Sequence, residues 1–172
     1  MARLRIPLDT ICVKTGILCP SCQRKVDEGE VQEYEVDVMR KLLELENEIK
    51  ELKNATYVKS YDLGNLLIVV LKMDEWDTDL VRKIRQALSR ALDRRVRVVI
   101  KTPEPREVAS QLLIPLTVRG VNVVWLPDGT QKYVVRVSRG FSRRGPRLPA
   151  PKEELEKVLS DILGAPIEIR FD

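Results

Sequence analysis

Three cysteines stand close together, Cys12, Cys19 and Cys22, in the order Cys-x6-Cys-Pro-Ser-Cys. The Cys-Pro-x-Cys step turns two thiolates toward one ion, as in zinc ribbons, so Cys19 and Cys22 read as a zinc knuckle with Cys12 as a third ligand. A closed zinc site takes four ligands, and the chain has no fourth cysteine and no histidine. A carboxylate such as Asp27, a water or a second chain would have to complete the shell. Two other chemistries suit the same residues: a disulfide from Cys12 to one of the other two, or three free thiols. A thioredoxin-like role is disfavoured, because no βαβ pattern surrounds the motif.

The second candidate chemistry is phosphate binding. Residues 136–147 carry Arg136, Arg139, Arg143, Arg144 and Arg147, no acid, two glycines and Phe141. Convergent guanidinium groups hold phosphates, glycines allow close backbone approach, and an aromatic ring stacks on a base. Residues 82–106 hold nine basic side chains against Asp93 and Glu104. Arg94, Arg95 and Arg97 are the nucleic-acid candidates there. The plainer reading of both clusters is a solvated surface that balances the acidic stretch 27–51, where ten acids face Arg40, Lys41 and Lys50. That stretch is in turn a solvated helix face or a docking surface for a basic partner. The formal net charge of +4 over 172 residues conceals this segregation.

The missing histidine excludes Ser-His-Asp triads, Cys-His dyads and His-ligated zinc hydrolases. No Gly-x-x-x-x-Gly-Lys loop and no nucleophile with an adjacent base is present, so the chain is expected not to be an enzyme. No apolar run approaches the roughly 20 residues that span a bilayer. Pro7 and Asp9 interrupt any secretory signal. A cytoplasmic protein without membrane contact is expected.

The elements that must position these groups follow from periodicity. Val38, Leu42, Leu45, Ile49 and Leu52 recur at three- and four-residue steps and predict a helix over 35–52. Strands are predicted over 56–61 and 66–72, joined by the turn Asp62-Leu-Gly-Asn65. Asp77 or Thr78 caps a second helix, and 95–101 alternates as a strand. The second half repeats the order: a helix over 104–114, strands over 116–126 and 132–139 around Pro127-Asp-Gly-Thr130, a helix over 153–163 closed by Gly164, and a strand over 166–171. Trp125 is expected in a core, and Trp76, among acids, in packing or a protein contact. The chain therefore divides into a Cys-containing segment 1–34 and two similar α+β units, 35–102 and 103–172.

Each unit reads helix, strand, strand, helix, strand, which is similar to a type II KH domain. The joining segment, with Gln111-Leu-Leu-Ile-Pro-Leu-Thr-Val118, resembles the turn that links the paired KH domains of NusA-type factors. That resemblance covers residues 35–172, and the whole chain, including its Cys-containing start, resembles archaeal NusA-like transcription elongation and termination factors. The resemblance implies tandem KH-like domains, RNA as a ligand, and RNA polymerase or another ribonucleoprotein component as a partner. One departure matters. KH domains clamp nucleic acid with a Gly-x-x-Gly loop. Residues 74–92 contain no glycine, and Gly140 and Gly145 are spaced too widely. Any RNA contact then falls to the arginines; without one, the chain would be a protein-interaction adaptor that kept the fold.

Overall fold

A computed structural model describes residues 3–114, 116–138 and 148–171. The chain forms two units, Met1–Ile100 and Lys101–Asp172. Each carries a three-stranded sheet, and among the described residues there are six α-helices.

Unit 1 opens with two short helices, α1 (Thr10–Thr15) and α2 (Pro20–Asp27). Helix α3 (Glu33–Leu45) leads through a 3-10 turn (Lys50–Asn54) into β1 (Thr56–Asp62) and β2 (Leu67–Lys72). Helix α4 (Thr78–Leu92) then crosses over to β3 (Val96–Ile100). The sheet order is β1-β2-β3, with β1 antiparallel and β3 parallel to the middle strand. Within residues 3–34, Leu4, Leu8, Cys12, Val13, Cys22 and Val31 belong to the same apolar core as α3, α4 and one face of the sheet.

The predicted helix over 35–52 ends early, at Leu45. Its stripe residues Val38, Leu42, Leu45, Ile49 and Leu52 are nevertheless all buried. Glu44, Glu46 and Glu48 crowd the negative end of the helix dipole, with no basic residue in the last turn. The chain unwinds there, and Glu46 accepts the backbone N–H of Leu4 at 2.8 Å. A second buried carboxylate, Glu35, joins α3 to β1. It accepts from Gln32 N in a capping box (2.6 Å), from the Tyr57 hydroxyl (2.7 Å) and from Ser60 N (2.9 Å). Burial first, and then the Glu35 charge, push the Tyr57 phenol well above its ordinary value.

Unit 2 repeats the plan with α5 (Pro105–Leu113), β4 (Val118–Trp125), β5 (Gln131–Val137), α6 (Lys152–Leu163) and β6 (Ile167–Phe171). Its order is β4-β5-β6, again antiparallel and then parallel. In both units the register slips near the start of the first strand, between Tyr57 and Lys59 and between Val118 and Gly120. The core is aliphatic, from Val108 and Leu112 on α5 through Val135 on β5 to Leu159 on α6 and Ile169 on β6. Trp125 does not join it. It is 67% exposed, because β4 is an edge strand whose far end leaves the helices behind. Trp76, by contrast, packs half-buried against the core of unit 1.

Candidate functional site

The three cysteines come together because three local signals fold the N-terminal segment. Asp9 caps α1 by accepting Ile11 N at 3.0 Å, and Gly16 ends that helix in the left-handed conformation. Pro20 starts α2 at its first position, which makes Cys19 the N-cap and puts Cys22 in the first turn. Cys12 faces inward from α1. The three Sγ atoms lie within 4.8 Å of one another, with Cys12 and Cys22 buried and Cys19 half-buried. All three are free thiols, not disulfides.

The backbone supports negative charge on these sulfurs. Cys12 Sγ accepts Cys19 N at 3.3 Å, and Cys22 Sγ accepts Asp9 N at 3.3 Å. The Cys22 N–H, followed by the Cys22 and Cys12 thiols, lowers the Cys19 thiol below its ordinary value. The Cys12 thiol is raised overall: the Cys19 N–H lowers it, but burial and the two neighbouring thiols outweigh that bond. This is a donor set for a thiophilic ion. Among the described residues no carboxylate joins it. Asp27, named above as a possible fourth ligand, sits at the opposite end of α2 and bonds Gln23 at 3.0 Å. Eight helical residues separate it from Cys19 by about 12 Å, beyond any metal–ligand bond.

The basic candidates divide sharply. Arg94 is engaged within unit 1: its guanidinium donates to both Asp62 oxygens (2.8 and 3.2 Å) and to Gly64 O (3.0 Å), locking the exit of α4 onto the β1–β2 turn. It therefore serves as a brace rather than as an open phosphate ligand. Arg97 is half-buried: burial first, and then the charges of Arg95 and Arg85, lower its guanidinium from the ordinary value. Arg85, on α4, was only one of nine basic residues in its stretch of sequence. It is exposed there, as is Arg95 just before β3. In unit 2, Arg136 lies across Gly120, its register partner on β4; a Cβ on Gly120 would come within 3.0 Å of Arg136 Nη2. Arg139, Phe141, Arg143, Arg144 and Arg147 lie outside the described residues.

The acidic stretch is less available for docking than its composition suggests. Glu35 and Glu46 are buried as backbone acceptors, Asp37 pairs with Arg40 at 3.3 Å, and Glu44 pairs with Lys41 at 3.6 Å. Among the described residues no helix is long and apolar enough to cross a membrane.

No protein-family model matches the sequence, and no curated protein matches it. Among solved structures, the chain is similar to the crystal structure of APE1850, with a TM-score of 0.50 and 18% identity over 77% of this chain and 96% of that one. At that identity the likeness concerns the fold alone. What the chain possesses is therefore a repeated αββαβ architecture, with a cluster of three cysteines able to hold a metal ion built into the first unit.

Proposed function

We propose that this protein is an RNA-binding accessory factor of transcription, NusA-like, whose two units are KH-like and grip the RNA backbone through arginines. The αββαβ order with a parallel last strand supports the KH-like reading. The single observation that carries RNA binding is the basic stretch 82–106 of unit 1, nine basic residues against two acids, with Arg85 and Arg95 exposed. A phosphate backbone neutralises such concentrated positive charge while releasing counterions. In unit 1 the unbroken helix α4 occupies the crossover where a KH domain would carry its Gly-x-x-Gly loop. The grip is then electrostatic and tolerant of sequence.

The test is binding of a labelled single-stranded RNA across a salt series. Wild type should bind, and the slope of log K against log salt should be steep. Reversing the three charges (R85E, R95E and R97E together) should weaken binding at least about tenfold and flatten the slope by about 2, at roughly 0.7 per lost phosphate contact. Unchanged binding would overturn the reading.

A second reading, an adaptor docking to polymerase or a ribonucleoprotein, is favoured by one observation: β4 presents Val123, Val124 and Trp125 exposed on a sheet edge. It expects no RNA binding at physiological salt. It also expects loss of a co-purifying polymerase component in Trp125→Lys.

A further inference from the structure

Cys12, Cys19 and Cys22 are every cysteine in the chain, and the chain has no histidine. No carboxylate among the described residues approaches the three sulfurs closely enough to share an ion with them. Among the described residues, an ion bound there finds three thiolates and no carboxylate. The burial pattern says where the gap lies. Cys12 and Cys22 are buried, so the sulfur triangle opens on the side of the half-buried Cys19.

We propose that the cluster is a three-thiolate centre for a thiophilic divalent ion such as Zn2+, with a fourth coordination position that is completed by the thiolate of a different molecule, not of a second copy of this chain. Ions of this kind close a tetrahedron at about 2.3 Å from each sulfur, which sets sulfurs about 3.8 Å apart. The present limit of 4.8 Å lies about 1 Å beyond that spacing. Two of the three sulfurs already accept backbone N–H bonds, from Cys19 and Asp9, which orient them and disperse the charge they carry as thiolates. Each protein thiol gives up one proton as the ion binds, so three protons leave per ion. The incoming thiol gives up a fourth as it displaces water. A thiophilic ion takes a soft thiolate in its fourth position ahead of a carboxylate.

The experiment uses the full chain, reduced and metal-free, with Co2+ as a spectroscopic probe. One Co2+ per chain should produce intense sulfur-to-cobalt absorption in the near ultraviolet. Excess Zn2+ should bleach it. Addition of 2-mercaptoethanol to the loaded protein should raise the sulfur-to-cobalt absorption by about one third and strengthen the tetrahedral visible bands, as three thiolates become four. Cys19→Ser, at the least buried position, should weaken Co2+ binding at least about tenfold while leaving the far-ultraviolet circular dichroism unchanged. Three results would overturn the proposal. The first is no sulfur-to-cobalt absorption in wild type. The second is a stoichiometry of one ion per two chains, which would make a second copy the source of the fourth donor. The third is a spectrum indifferent to the added thiol, which would leave water or a closed site in that position.

Discussion

The two units share element order, strand order, strand sense and even the position of a bulge, yet they treat their interiors and edges differently. Among the described residues, the three buried polar or charged side chains, Glu35, Glu46 and Ser60, all lie in unit 1. The edge of β1 is partly covered: Arg5 forms a parallel bridge to Thr56, with Arg5 N donating to Ala55 O at 3.1 Å and Tyr57 N to Arg5 O at 2.7 Å. At β4 the burial fades along the strand, from Val118 to the exposed Val123, Val124 and Trp125. One topology thus supports a unit tied by polar contacts to its own N-terminal segment and another left with an apolar edge. Topology sets which strand lies at the edge; the flanking chain sets whether that edge is available.

The largest expected effect tests what the units have in common. Leu88→Ala in α4 and Leu159→Ala in α6 each empty a fully buried site. Both should cost about 2–5 kcal/mol, read from the midpoint of urea unfolding. A cost near zero for either would show that its unit lacks a close-packed core.

Next comes the polar tie peculiar to unit 1. Glu35→Ala leaves the buried Ser60 N–H without its acceptor, a loss of about 1–3 kcal/mol, while the Tyr57 hydroxyl keeps Ser60 Oγ at 2.7 Å as a partner. Faster amide exchange at Ser60 should accompany it. If the variant unfolds at the wild-type midpoint, the polar tie is not what distinguishes unit 1.

A smaller contrast lies in the hairpin turns. Arg94 first, and then the Gly64 N–H, hold the Asp62 carboxyl below its ordinary value; Asp128 is lowered by the Thr130 hydroxyl and then its N–H. A carboxyl whose folded value is depressed stabilises the fold above its unfolded value of about 3.9 and loses that contribution as pH falls through the folded value. Asp62→Asn should therefore lower Tm at neutral pH, and the gap from wild type should close as pH drops below about 3.9. Asp128→Asn, in a turn with no arginine, should show the smaller gap. Equal gaps would remove Arg94 as the cause.

The smallest effect is expected at the open edge. Trp125→Lys removes a mostly exposed ring and should shift stability by no more than about 0.5 kcal/mol. A large loss would mean that β4 is packed rather than open.

Most of this architecture was legible in the sequence, for identifiable reasons. The Asp77 cap before α4, the Gly164 stop after α6 and the Pro127-Asp-Gly-Thr130 turn are local signals, and local backbone chemistry honours them. Helices α1 and α2 were missed although Asp9, Gly16 and Pro20 marked their ends. Six and eight residues are too few for a periodic stripe to stand out, and such helices depend on packing. The site was legible in part. The cysteine spacing announced a shared centre, whereas the engagement of Arg94 with Asp62 and Gly64 was not readable from a linear count of charges.

The sequence by itself determined the repeated order of helices and strands, the absence of imidazole chemistry and the supply of only three thiol ligands, because composition and short-range periodicity are properties of the chain alone. Only the tertiary structure decided which groups meet. It buried Glu35 and Glu46, spent Arg94 on Asp62, brought three sulfurs within 4.8 Å and left Trp125 in solvent. Those outcomes depend on which surfaces the sheet, the crossovers and the N-terminal segment cover. Burial and proximity arise between elements distant in the chain, where no local propensity records them.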